Sequence, residues 1–172
     1  MTNENAHPAT DLTSHGRVVL PIIRHATIED AEQIAVLGAI FHEEAFWDDI
    51  LDYDIDDCIV SLEGFIGQPN FICMVAEVNG RFVSFGSLVL SPVYFNHSHI
   101  SCEELFWWAD PESNYPGIGM KLKKQMEEEA KDRGALSIQM KSIDALNGDR
   151  MANLYIRNGY RRSEHSFIKR LV

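Results

Sequence analysis

The chain has 172 residues, 45% of them hydrophobic and 10% aromatic, which is one domain's worth with material for a real core. Fifteen Lys plus Arg (15) face 26 Asp plus Glu, for a net charge of −11. That balance excludes the basic face that a nucleic-acid-backbone binder needs, and it suits a neutral or cationic partner. Cys58, Cys73 and Cys102 are far apart and form no CxxC, so they read as buried thiols in a reducing, cytoplasmic compartment. No apolar run reaches the length of a membrane span, and the polar N-terminus lacks the apolar stretch of a signal peptide.

Residues 1–17 are polar and aperiodic and read as a loose tail, leaving one domain over 18–172. "VVLPIIRHA" is β-branched and apolar, a strand. "TIEDAEQIAVLGAIFHEE" then shows helical spacing at Ala31, Ile34, Ala35, Gly38 and Phe41, with Thr27 as N-cap and Asp30 in the place of a capping-box acid. "AFWDDILDYDIDDCIVSLEGFIG" is a second helical region. The acids from Asp52 to Asp57 favour its start, and Gly67 with Pro69 ends it. Asn79-Gly80 between two β-rich runs is a hairpin signal. Pro92 is expected to break the second of these strands, with "SPVYFNHSHIS" as a loop and "CEELFWWAD" as the next strand. A glycine-rich turn leads into a helix over about 117–133, "ALSIQMKSI" is a strand, and "NGDRMANLYIRNG" is a short helix with Gly159 beyond its end. "YRRSEHSFIKRLV" reads as a last strand or hairpin. An antiparallel meander followed by a βαβ-type crossover makes a mixed α/β or α+β single domain.

The turn "PESNYPGIGMK" is the chain's most informative stretch. It places Gly117 and Gly119 at the mouth of a helix, where glycine costs roughly 1 kcal/mol against alanine. One reading is a tight strand-to-helix turn. The other is an anion site, because free first-turn amides and the helix dipole attract a phosphate and glycine lets it reach the backbone. The dinucleotide fingerprint G-x-G-x-x-G fails at Leu122, and no GK[ST] follows as a Walker A loop requires. Asn114, Gly117 and Gly119 do fit the pyrophosphate loop Q/R-x-x-G-x-G/A, with Asn in place of Gln or Arg. Further on, Tyr155, Gly159 and Tyr160 in "MANLYIRNGYRR" fit A-x-x-x-Y-x-x-x-G-F/Y, with Met151 at the alanine position. On these two elements and the opening "IRHATIEDAEQI", the chain from about residue 19 to 172 resembles the GNAT superfamily of N-acetyltransferases.

The resemblance implies a mostly antiparallel twisted sheet of six to seven strands, splayed between the fourth and fifth, with about four helices. It implies acetyl-coenzyme A as the acetyl donor. The pyrophosphate would lie on Asn114, Tyr115, Pro116, Gly117, Ile118, Gly119 and Met120, with Asn147 as a further contact. The pantetheine arm would add as a strand beside Trp108 and Ala109, with an amide near Ala109 as oxyanion donor. The acceptor would be a primary amine on a small molecule, a peptide end or a lysine, and the last strands would suit a homodimer.

Transfer to an amine needs a base and an acid. Glu103 and Glu104 lie on the strand where many relatives carry the base, and alternation turns them to opposite faces. Glu104 is preferred, on one face with Phe106 and Trp108. Tyr155 matches the usual acid for the thiolate. Both glutamates could instead be solvated strand carboxylates, and Tyr155 an aromatic packed between helix and sheet.

"HEEAFWDD" fails as HExxH because Phe46 replaces the second His. Glu43, Glu44, Trp47, Asp48 and Asp49 could instead wall the acceptor side and hold a cation. His97 and His99 lack further ligands, so no metal is expected. "KLKKQMEEEAKDR" reads as a solvated helix face with pairs such as Lys123–Glu127. Trp107 and Trp108 must face opposite sides, so one of them could narrow the acyl pocket and select the acyl length. A coenzyme-A-binding module without turnover is the alternative function.

Overall fold

A computed structural model of the chain describes residues 19–171, so the tail expected over 1–17 lies outside the described residues. One sheet holds β1 (Ile22–His25), β2 (Phe71–Val78), β3 (Arg81–Val93), β4 (Asn96–Ala109) and β5 (Ala135–Gln139) in that order. Its first three pairings are antiparallel and β4–β5 is parallel. The helices are α1 (Ala31–Glu44), α2 (Ile55–Phe65), α3 (Ile118–Asp132) and α4 (Gly148–Arg157). Helices α1 and α2 cover one face through Ile34, Ala35 and Leu62 on Phe71, Val75 and Phe85. Helix α3 covers the other through Leu122 and Met126 on Leu88, Leu90 and Cys102. Cys102 is fully buried, as expected of a small core side chain.

Local chemistry starts and stops these elements where the sequence places the signals. The Thr27 amide donates to Asp30 Oδ2 at 2.7 Å, and a 3-10 turn over Ile28–Asp30 leads into α1. Arg24 grips the same carboxylate through both nitrogens at 2.6 and 3.0 Å and reaches Glu77 at 2.7 Å. Those hydrogen bonds hold the Asp30 carboxyl below the usual carboxylate range and tie β1 to the helix entry. The second helical region divides into a 3-10 turn at Trp47–Asp49 and α2, which Asp54 caps by accepting from the Asp57 amide at 3.0 Å. Asn79 and Gly80 both have positive φ, 51° and 80°, as a two-residue hairpin of type I′ requires.

The loop expected after Pro92 is instead the tip of a long hairpin. Strand β3 runs through Pro92 to Val93, the turn is Tyr94-Phe95, and β4 starts at Asn96. Strand β2 pairs with β3 only as far as Val89, so at Pro92 the chain has a neighbour on one side alone. A residue without an N–H is tolerated there, next to a bulge between Pro92 and Val93.

The expected six to seven strands are five among the described residues, because 161–171 form no ladder. Helix α4 closes normally: the Gly159 amide donates to Ile156 O and the Tyr160 amide to Tyr155 O, each at 3.1 Å. Beyond it, Arg161, Arg162, Glu164 and His165 break the apolar alternation that a half-buried strand needs, and Phe167 and Leu171 stay exposed. The splay is present. Strands β4 and β5 pair only up to Glu103 with Gln139, and β4 continues to Ala109 paired with β3 but not with β5.

Candidate active site

The open side of β4 is set by a bulge. Ser87 faces Phe106 but Leu88 faces Glu104, so Leu105 is the extra residue. The bulge reverses the alternation between Glu104 and Phe106. Glu104 therefore does not share a face with Phe106 and Trp108, contrary to strict period-two reading. It lies with Cys102 and Trp107 on the α3 side, while Phe106 and Trp108 pack into the cluster under α1 and α2. The two tryptophans do face opposite sides. Further along, the Asp110 amide donates to Val83 O at 3.0 Å and Ala109 stands opposite Ser84. The Ala109 amide consequently points away from β3, into the open seam.

The glycine-rich turn begins at Asp110, whose carboxylate accepts from Arg81 and from the Glu112 amide, each at 2.9 Å. Gly117 is the N-cap of α3 with φ +79°, and open space surrounds its missing side chain, so its requirement is the left-handed dihedral. Gly119 is there for contact. A Cβ on it would sit 2.9 Å from Ala109 Cβ, and its carbonyl accepts from Trp107 Nε1 at 3.2 Å. Glycine thus presses the helix start against the end of β4. The Ile118 amide donates to Tyr115 O and the Lys121 amide to Gly117 O. The amides of Gly119 and Met120 remain in the first turn, where a helix lacks its own acceptors. Asn114, Pro116 and Gly117 are exposed around them, and Tyr115 is half-buried. The result is a cradle of first-turn amides beside the open seam, a chemistry that suits an anion. Replacing Gly119 by valine is expected to cost about 1–3 kcal/mol through overpacking. It should also weaken coenzyme A binding at least tenfold, checked by thermal melting and by titration calorimetry.

Glu104 and Tyr155 meet on the backbone of one residue, Lys141. The Lys141 amide donates to Glu104 Oε2 at 2.9 Å, and the Tyr155 hydroxyl donates to Lys141 O at 3.0 Å. Burial pushes the Glu104 carboxyl up to about 7, against the lowering influence of the Lys141 amide and of the Lys141 and Lys123 charges. Burial, with the carboxylates of Glu104 and Glu127, also raises the Tyr155 phenol beyond its ordinary range and keeps it protonated. Glu103 is the exposed member of the pair, bridged to Lys141 Nζ at 3.0 Å. Behind Tyr155, Lys123 is fully buried rather than solvated. Its pairing with Glu127, at 2.6 Å, is the expected one, but the Tyr160 ring covers it at 4.7 Å and the Tyr160 hydroxyl donates to the same carboxylate. Asn147, expected as a cofactor contact, caps α4 in a left-handed conformation with its side chain exposed.

On the opposite face, Trp108 Nε1 donates to Glu44 Oε2 at 3.0 Å, which brings the end of α1 to the open part of β4. Trp47 packs edge-on against Phe41 and His42 rather than standing free. Sequence reasoning brought forward Glu104, Tyr155 and the glycine turn. It missed Lys141, whose contribution is its backbone and leaves no side-chain signature. It also missed Leu105, since a bulge has no dependable sequence mark.

Solved structures share this fold. A transcriptional regulator from Bacillus halodurans is 19% identical with a TM-score of 0.70, covering 88% of this chain and 99% of its own. An aminoglycoside acetyltransferase from an uncultured soil metagenomic sample is 16% identical, with a TM-score of 0.67 and coverage of 88% and 99%. A predicted acetyltransferase with acetyl-CoA from Clostridium acetobutylicum is 14% identical, with a TM-score of 0.69 and coverage of 88% and 97%. At these identities the likeness is one of fold, and no curated protein matches in sequence. The model of the acetyltransferase (GNAT) family, however, matches residues 30–160, which takes in the helix entry, the glycine turn and the Tyr155–Tyr160 element; the chain belongs to that family.

Proposed function

We propose that the protein transfers an acetyl group from acetyl-CoA to a primary amine by direct attack in a ternary complex. The observation that carries this reading is the convergence of Glu104 and Tyr155 on the Lys141 backbone, at the apex of a seam whose other end is the amide cradle. The donor supplies an activated acetyl thioester. The amides of Gly119 and Met120 would hold its diphosphate, with Asn114 and Tyr115 alongside and Asn147, at the cap of α4, as a further contact. The open edge of β4 at Trp108 and Ala109 would align the pantetheine arm, and the Ala109 amide would donate to the thioester carbonyl oxygen.

Glu104 takes the proton of the acceptor ammonium through a water molecule, since its carboxyl titrates near neutrality and is ionised on the alkaline side. Tyr155, held protonated, returns a proton to the departing thiolate by giving up its bond to Lys141 O. The Clostridium acetobutylicum structure of like fold is one with acetyl-CoA, which supports the choice of donor.

The test is to mix the protein with acetyl-CoA and a panel of primary amines and follow free thiol release. Amine-dependent, saturable release is the expected result. If coenzyme A binds and no amine accelerates thiol release, the chain is a binding module and the transferase reading fails.

A further inference from the structure

Between α1, α2 and the bulged part of β4 lies a cavity of about 130 Å³ whose wall is almost wholly apolar. Phe41, Trp47, Tyr53, Leu62, Leu105 and Phe106 line it. Trp47 and Leu105 stand at its mouth, 37% and 41% exposed. Tyr53 forms one side by crossing α1 at Gly38, where its hydroxyl donates to Ala35 O at 2.9 Å and lies 3.0 Å from Cys58 Sγ, whose thiol can donate to it. An apolar cavity of about 150 Å³ accepts benzene, so this one fits a phenyl ring or a branched alkyl group of similar size.

Its position relative to the seam says which molecule fills it. From the cradle beside Ala109 back to Leu105 is four residues of strand, or about 13 Å. The seam closes at Glu103, so a thioester drawn along β4 stops near Leu105, at the cavity's mouth. The segment that supplies most of the lining is acidic. Lys and Arg are absent between Arg24 and Arg81, a stretch holding half of the chain's 26 acidic residues. Glu43, Glu44 and Asp49 stand close to the lining residues in sequence. An acidic entrance draws in a cation, and an apolar interior then takes its uncharged part.

We infer that the acceptor is an arylalkyl or branched-alkyl primary amine: its apolar group seats in the cavity between α1, α2 and Leu105, leaving the amine at the seam. The inference rests on the acyltransfer reading and names the substrate class of the same site. The edge-on packing of Trp47 against Phe41 and His42 keeps the wall rigid, so selectivity comes from shape as well as polarity.

The experiment measures binding and turnover separately. With coenzyme A saturating, calorimetric titration should show 2-phenylethylamine binding at least about 30-fold tighter than ethylamine, the scale of burying one aromatic group. The same ratio should appear in kcat/KM. Leu105→Trp fills the mouth and should reduce the ratio to below about fivefold, both amines being measured on the same variant so that any general loss cancels. Trp47→Ala, which removes a wall, should also lower it. Equal affinities for the two amines would overturn the inference. So would a preference for hexanoyl-CoA over acetyl-CoA without an advantage for the aryl amine, which would make the cavity an acyl tunnel. Thiol release with ethylamine and no aryl preference sinks the pocket assignment and spares the transferase. Tight aryl-amine binding without thiol release does the reverse.

Discussion

Glu104→Gln is expected to lower kcat at least about 100-fold, the usual contribution of a positioned base, with coenzyme A affinity little changed. The amide side chain can still accept from Lys141 N–H, so the local geometry survives while the proton acceptor is lost. The unaltered protein should show kcat/KM rising with pH to a plateau above about 7, because the ionised form is the active one. That limb should vanish in the variant.

Stability should move the other way. An unfolded glutamate loses its proton near 4.5, and this buried one near 7. Between those values the native state binds a proton that the unfolded state has released, so stability declines as pH rises through the window. The decline is up to about 3 kcal/mol at 1.36 kcal/mol per pKa unit. Urea unfolding of both proteins from pH 4.5 to 8 measures it, and Glu104→Gln should lack that component. Parallel stability curves would show that the carboxyl is not buried in the way described, and unchanged turnover would remove Glu104 as the base.

Tyr155→Phe should slow turnover by about 100-fold while leaving coenzyme A binding within twofold. The lost hydrogen bond to Lys141 O should cost about 1 kcal/mol. Because Glu104 and Tyr155 hold the N–H and the C=O of the same residue, Lys141, the double variant should lose less than the sum of the singles. Steady-state kinetics of the four proteins reads this out. Full-speed turnover of the single variant ends the acid assignment. Additive losses mean that the two residues act separately.

The glycine turn shows why the site was partly readable. Gly117 and Gly119 were visible as a pair, but only the fold separates their roles, a left-handed dihedral for one and contact with Ala109 for the other. Lys123 read as one more solvated lysine of an i,i+4 pair. The ring of Tyr160, 37 residues later, is what buries it. Pro92 read as a strand breaker, since the absence of β2 beside it cannot be seen in a local window.

By itself, the amino-acid order determined the helix entries and exits, the Asn79-Gly80 hairpin and the glycine turn, because each depends on dihedrals and hydrogen bonds within a few residues, and its motifs pointed to the family. Tertiary structure decided which face Glu104 occupies, that its partner is the Lys141 backbone, and that a phenyl-sized cavity opens beside Leu105. Those outcomes follow from strand register and from burial by distant segments. A single bulged residue reverses every side chain after it, and a carboxylate shifts its titration only once remote parts of the chain exclude water from it.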